Sequence, residues 1–180
     1  MNRKTDSGLS LGALHEAGHA ATLLILRRRF ECVLPNKVSF GQRVDDGYKL
    51  PLPLMCQLAG AAAEAVGGGL DAWAHATTDG ERAREAATRN LRKRGERVTA
   101  QSVADEMQAS WNALVPLLRE YWPAVEAIAA ELEKSGNVTY ARAAVLLEDA
   151  RREQRAEEAR RRVFLDGSDE QQKMFREAKK

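Results

Sequence analysis

The sequence predicts a mainly α fold with one small β-hairpin and a charged helical tail at its C-terminus. Alanine supplies 30 of the 180 residues and favours helices, whereas aromatic residues make up only 6% of the chain. Apolar residues recur at helical spacing along most of the sequence. The stretch 32–50 is rich instead in β-branched and aromatic residues, which favour strands. The length suits one domain with a sizeable core.

The predicted helices are delimited by capping residues at their starts and by glycine or proline at their ends. Ser7 or Ser10 can cap the first helix, and Thr99 can cap a later one. We expect Pro116 and Pro123 to kink or divide the helical segment that contains them. The predicted helices cover about residues 11–29, 54–66, 78–94, 100–114, 117–134 and 140–162.

The hairpin is predicted within residues 32–50, with a turn at Asp45-Asp46-Gly47. Pro35 lacks a backbone N–H, so we expect it to keep the first residues of this segment out of a central strand. The edge at residues 38–40 could pair with an extended peptide as an added strand. These residues could equally cover the core.

Charge is unevenly distributed along the chain. The net charge of +2 neither favours nor excludes a nucleic-acid partner. Residues 151–180 contain 10 basic and 7 acidic residues, whereas residues 1–150 contain 18 and 19. We therefore divide the chain into a near-neutral domain, 1–150, and a basic helical tail, 151–180. Arginine and glutamate alternate along 151–162, which favours a solvated helix over a surface for an acidic partner, a nucleic acid or a second copy.

Cysteine content and hydropathy indicate a cytoplasmic protein. Cys32 and Cys56 are too few for a disulfide framework and are expected to stay reduced. The polar N-terminal residues do not resemble a signal peptide. The longest largely apolar run, 20–26, is far shorter than the roughly 20 residues that span a membrane. We therefore expect no membrane partner.

The stretch His15-Glu16-Ala17-Gly18-His19 carries the most specific chemistry in the sequence. A spacing of four places both imidazoles on one face of the first helix, where they can bind the same zinc ion at about 2.0–2.1 Å. Glu16 is then close enough to take a proton from a zinc-bound water without binding the metal itself. This pattern is typical of zinc peptidases of the zincin type.

Two histidines do not complete a catalytic zinc site, which usually has three protein ligands and an open position. No third histidine lies six residues beyond His19, so the metzincin pattern does not apply. Glu64, Asp71, His75 and Asp79 are the candidates for the third ligand. Glu64 lies on a predicted helix, and Asp79 lies in the first turn of another, where it could simply cap the helix. Spacing alone does not choose between them.

Several stretches together resemble the protease domain of the FtsH-type ATP-dependent metalloproteases, over about residues 8–148. Residues 15–20 are similar to the zinc motif of that family, and residues 58–64 resemble its small-residue helix that ends in Ala-Ala-Glu. Thr77-Thr78-Asp79, followed by Ala83, resembles the stretch that supplies its third zinc ligand, an aspartate. Further similar segments are Gly47-Tyr48 with Leu50-Pro51, and the helical pair that contains Leu117-Leu118, Val125-Glu126, Ile128-Ala129 and Leu132.

The resemblance implies a helical, zincin-like fold in which His15, His19 and Asp79 bind zinc and Glu16 is the general base. It also implies that Glu64 is not a ligand. Its carboxylate would instead orient a ligand histidine or form a structural ion pair.

Two kinds of departure from the family stand beside these similarities. Ala61 and Ala65 occupy positions where the family has an arginine and an acidic residue, and the approach to Asp79 reads His75-Ala76-Thr77-Thr78. His75 therefore remains an alternative third ligand. The family's transmembrane segment and ATPase domain are not found in this sequence.

These features predict a zinc-dependent endopeptidase that hydrolyses peptides or unfolded protein segments, with a zinc-bound water activated by Glu16. As a single chain it is expected to act without ATP. A separate ATPase partner and a homo-oligomer are both compatible with the sequence, and a nucleic-acid partner is not favoured. The alternative is a non-catalytic or regulatory zinc-binding protein that interacts with a partner through its basic tail.

Overall fold

Six helices and three short strands make up the parts of the chain that the computed structural model describes, which are residues 8–39, 53–68 and 77–166. In chain order they are α1 (Leu11–Ile25), β1 (Cys32–Leu34), β2 (Lys37–Ser39), α2 (Leu54–Val66), α3 (Thr77–Lys93), α4 (Ala100–Glu120), α5 (Trp122–Ser135), β3 (Val138–Thr139) and α6 (Tyr140–Asp166). The predicted mainly α fold with a small sheet is confirmed. None of the described helices combines the length and apolar character needed to cross a membrane.

The ends of the helices follow the capping signals in the sequence. The N–H of Ala13 donates to Oγ of Ser10, which makes Ser10 the N-cap of α1. Thr99 caps α4 in a reciprocal arrangement with Ser102. α2 has the predicted bounds, but α1 ends at Ile25, before the predicted end near residue 29. Arg27 adopts a left-handed conformation with φ of 54°, which no helix can continue through.

The two prolines act differently from one another. Pro123 lies in the first turn of α5, where its missing N–H is not needed, and the helical segment is divided just before it at Tyr121. α4 instead continues through Pro116 to Glu120, so the helix is not divided there. Leu114 and Leu118 on either side of Pro116 are fully buried, and this packing holds α4 together.

The sheet has the order β2-β1-β3, with both pairs antiparallel. β1 and β2 form a hairpin whose loop is Pro35-Asn36, because Leu34 pairs with Lys37. The expectation that Pro35 excludes this segment from a central strand is wrong, since Pro35 lies in the loop and removes no hydrogen bond from the ladder. The turn predicted at residues 45–47 lies outside the described residues. β3 was not predicted; it pairs with β1 on the side opposite β2.

α1 and α2 pack at the centre of the fold through small side chains. A Cβ on Gly18 would lie 2.5 Å from Cβ of Ala63 and 2.6 Å from the carbonyl oxygen of Ala59, so only glycine allows this close approach. α5 packs on the other side of α1, whereas α3 and α4 pack against α2. The small side chains of α2 therefore allow its neighbours, α1 on the one hand and α3 and α4 on the other, to pack closely against it.

The cysteines and tryptophans mostly take structural positions. Cys32 and Cys56 are both free, in agreement with the expected reduced state, and Cys32 is only partly buried. Burial raises the pKa of the Cys56 thiol to about 12 against a smaller opposing effect of Arg28, so this thiol stays neutral. Trp111 and Trp122 pack against the core. The remaining tryptophan lies outside the described residues.

α6 leaves the core part-way along its length. Leu147 and Ala150 are its last buried residues, and Arg151 stacks over the ring of Tyr121 with its guanidinium carbon 4.7 Å from the ring centroid. Beyond Arg151, the side chains described up to residue 162 are exposed or half-buried. Arg160 and Arg161 both pair with Glu157 within the helix. These pairs agree with the predicted solvated helix.

A chain that ends at Arg151 is therefore expected to keep the stability of the full chain. Exposed intrahelical ion pairs contribute little to folding, so the free energy of unfolding should change by less than about 1 kcal/mol. Urea denaturation of the two chains measures the difference. A loss of several kcal/mol would show that residues beyond 151 contact the domain.

Candidate metal centre

His15 and His19 lie one turn apart on the same face of α1. Their ring centroids are 4.8 Å apart, the two planes are inclined by 73°, and the two Nε2 atoms are 3.2 Å from each other. Helical spacing accounts for this arrangement, because residues four apart are neighbours on a helix surface. Both imidazoles are mostly buried, with 17% and 14% of their side-chain surfaces exposed.

The first turn of α3 brings Asp79 to these two nitrogens. Its Oδ2 lies 3.0 Å from Nε2 of His15 and 3.2 Å from Nε2 of His19. Three ligands at about 2.0–2.1 Å from a tetrahedral ion are about 3.3–3.4 Å apart, which is close to the size of this triangle. Within the described residues, His15, His19 and Asp79 form the one group of such side chains that could hold a metal ion.

The remaining ring nitrogens of the two histidines are both occupied. Nδ1 of His15 lies 2.6 Å from Oε1 of Glu64, and Nδ1 of His19 lies 2.7 Å from the backbone carbonyl oxygen of Cys56. A carbonyl oxygen only accepts, so His19 donates Nδ1–H to it, and the carboxylate of Glu64 takes the same role for His15. Both rings thereby direct Nε2 into the triangle, as imidazole ligands of metals usually require.

Space for the ring of His15 depends on Gly60 of α2. A Cβ at this position would lie 2.5 Å from two ring carbons of His15, far inside van der Waals contact. The same helix supplies Glu64 one turn further on and Cys56 one turn earlier. α2 therefore determines the position of both imidazoles although it contributes no atom to the triangle.

Glu16 is buried beside the triangle, with only 7% of its surface exposed. One carboxylate oxygen, Oε2, is buried and has no hydrogen-bond partner among the described residues. A buried polar atom without a partner is costly and rare, so a bound ligand or water is expected to meet it. Burial raises the pKa of Glu16, and the nearby His19 and His15 offset part of that increase. Its position and its raised pKa both suit a group that exchanges protons with a ligand.

The charges in the cluster balance one another. Hydrogen bonds from His15 and His19 hold the pKa of Asp79 well below its usual range, against the effect of burial. Burial lowers the pKa of His15, but its hydrogen bonds to Asp79 and Glu64 outweigh this and raise the pKa to about 9. The carboxylates therefore stabilise a positive charge at the imidazole. A divalent cation would replace that charge when it displaces the proton.

The structure brings together five of the residues singled out from the sequence: His15, Glu16, His19, Glu64 and Asp79. Glu64 contacts His15 from outside the triangle, so it is not the third member of the group. Two other candidates from the sequence, Asp71 and His75, lie outside the described residues.

Other contributors to the cluster were missed. The backbone carbonyl of Cys56 leaves no signal in a sequence. Gly60 does leave a signal in the sequence, because a lone glycine within an alanine-rich helix indicates that another group approaches the helix backbone closely.

Comparisons with known proteins do not identify a family for this chain. A search of protein-family models gave no match to this chain, and no curated protein matches its sequence.

Removing the carboxylate of Glu64 is expected to weaken metal binding without destroying the triangle. In Glu64→Ala, Nδ1 of His15 loses its acceptor, and we expect zinc affinity to fall about 10–100-fold. Glu64→Gln is the matched control, because its amide oxygen can still accept this hydrogen bond and should restore most of the affinity. Competition with a fluorescent zinc chelator measures both. Equal affinity in Glu64→Ala and the unaltered chain would contradict an orienting role.

Proposed function

We propose that this chain is a zinc-dependent endopeptidase of the FtsH type, with zinc held by His15, His19 and Asp79. The observation that carries the proposal is the triangle of Nε2, Nε2 and Oδ2 atoms, 3.0–3.2 Å apart, next to a buried and unpartnered oxygen of Glu16. The donor set suits zinc, which prefers imidazole nitrogen and carboxylate oxygen in a tetrahedral arrangement. Three protein ligands leave the fourth position open, as in catalytic sites.

Each residue of the site has a distinct role in the proposed peptide hydrolysis. When bound, zinc supplies Lewis-acid chemistry, because it lowers the pKa of water and polarises a peptide carbonyl. Glu16 accepts the proton of the attacking water and later donates it to the leaving amine. Glu64 and the carbonyl of Cys56 keep both imidazoles correctly oriented throughout.

Peptides and unfolded protein segments are the proposed substrates. In the described part of the sheet β2 is an edge strand, which leaves one side of Lys37–Ser39 able to pair with an extended chain. Such pairing uses backbone hydrogen bonds and therefore accepts many sequences. A substrate in this mode must be extended, which a folded protein does not offer.

The test is metal content together with hydrolysis. The purified chain is expected to bind one zinc ion, measured by elemental analysis, and to cleave an unfolded protein such as reduced, alkylated casein. A chelator should abolish cleavage, and zinc should restore it. Absence of stoichiometric zinc would overturn the proposal. Zinc binding without cleavage of any unfolded substrate would instead favour the non-catalytic alternative.

A further inference from the structure

Arg82 lies at the rim of the metal centre and has no part in the chemistry described above. It follows Asp79 by one turn of α3, and its Nη1 lies 3.8 Å from Oδ1 of Asp79. This is the carboxylate oxygen that is not directed at the histidines, since Oδ2 faces both Nε2 atoms. The guanidinium is therefore separated from the triangle by the width of one carboxylate group.

No hydrogen bond to another described residue occupies the guanidinium of Arg82. A separation of 3.8 Å is too long for a hydrogen bond, and Arg82 makes none to the other described residues. Its side chain is 63% exposed, so the ion pair with Asp79 is screened by water and contributes little to stability. Five N–H donors in a planar fork remain available for a carboxylate.

The surroundings make a positive charge at this position distinctive. Glu16, Glu64 and Asp79 place three carboxylates around the triangle, and none of these side chains can attract a substrate carboxylate. Among the described residues, Arg82 is the one lysine or arginine whose ion pair reaches a member of this group. It is consequently the group that would attract a substrate carboxylate to the rim.

Resting on the proposed peptidase function, we propose that Arg82 selects peptides that carry a carboxylate next to the bond that is cleaved. Successive Cα atoms of an extended peptide are about 3.8 Å apart, so a carboxylate on the residue beside the cleaved bond comes within reach of the rim. Arginine binds carboxylates with two parallel hydrogen bonds, which adds direction to charge. The carboxylate can belong to an acidic side chain or to the C-terminus of the peptide.

Matched peptides test this selection and distinguish its two sources. One pair differs by Glu or Gln beside the cleaved bond, and a second pair differs by a free or an amidated C-terminus close to it. The zinc-loaded chain is expected to prefer at least one acidic member by about 10-fold in kcat/KM. In Arg82→Gln the preference should fall below about 2-fold, with the change in KM rather than kcat and with zinc content unchanged.

Arg89→Gln is the matched control for this experiment. Arg89 lies on the same helix, about two turns beyond Arg82, and makes the same kind of 3.8 Å ion pair with Glu85 instead of Asp79. It should keep the full preference. Arg82→Lys retains the charge without the fork and should be intermediate. The inference is overturned if the unaltered chain shows no preference, if Arg82→Gln keeps it, or if Arg82→Gln loses zinc, which would mean that Arg82 acts through Asp79.

A binding measurement separates this inference from the proposed function. Two peptide hydroxamates, which chelate zinc and differ only by Glu or Gln beside the hydroxamate, are titrated into the zinc-loaded chain by calorimetry. Tighter binding of the Glu compound, lost in Arg82→Gln, supports the role of Arg82 even if no peptide is cleaved. Equal binding of both compounds contradicts it even if peptides are cleaved.

Discussion

Glu16→Gln is expected to lower kcat/KM for peptide hydrolysis by about 10³-fold while the chain keeps one zinc ion. The substitution preserves size and shape but replaces a carboxylate oxygen that is buried, has no partner among the described residues and can accept a proton. Zinc should remain because the three atoms of the triangle belong to other residues. Hydrolysis rates and metal content, measured on the same preparation, check the two halves of this expectation.

Stability and a control substitution separate catalysis from folding in this experiment. Because burial disfavours the charged form of Glu16, its neutral amide should leave the free energy of unfolding unchanged or slightly higher. Glu148→Gln, at an exposed position on α6, should retain full activity. Undiminished hydrolysis by Glu16→Gln would show that another group accepts the proton. Loss of zinc would show that Glu16 holds the site together instead.

Gly60→Ala should disrupt the metal centre from a position that binds no metal. The added methyl group would overlap the ring of His15, which Glu64 and Asp79 hold from its two nitrogens. Moving α1 away from α2 to make room would open the close contact between Gly18 and α2, which would itself cost packing energy. We expect zinc affinity to fall about 10–100-fold and the free energy of unfolding to fall by about 1–3 kcal/mol. Chelator competition and urea denaturation measure the two effects.

Gly12→Ala is the matched control on the neighbouring helix. A Cβ on Gly12 would meet no atom of the described residues within 4 Å, and alanine favours helices over glycine by roughly 0.5–1 kcal/mol. This variant should be slightly more stable and bind zinc as the unaltered chain does. If Gly60→Ala also keeps its zinc affinity, the ring of His15 is less tightly confined than the packing indicates.

Local signals in the sequence predict most of the fold. Ser10 and Thr99 cap their helices as expected, and Gly136 ends α5 in the left-handed conformation with φ of 70°. The errors arise where distant packing decides. α4 continues through Pro116 because its neighbours are buried, and β3 forms because Val138 is placed opposite Val33, 105 residues earlier in the chain. No local pattern carries either fact.

The candidate site likewise has one part that local sequence signals predict and another that depends on distant packing. The pair His15 and His19 follows from helical spacing alone, because both residues belong to one helix. Asp79 is 60 residues from His19, so its place depends on how α3 packs against the core. Spacing therefore left four candidates, and only the family resemblance favoured Asp79. That resemblance stays a prediction, although the position of Asp79 is compatible with it.

The acceptor of His19 has a consequence for how the centre tolerates mutation. His15 is oriented by a side chain, so one substitution at Glu64 removes its acceptor. His19 is oriented by the main-chain oxygen of Cys56, which every amino acid supplies as long as α2 remains a helix. The two histidines thus differ in mutational robustness. A single substitution can remove the acceptor of His15, whereas a substitution at Cys56 that preserves the helix leaves the acceptor of His19 in place.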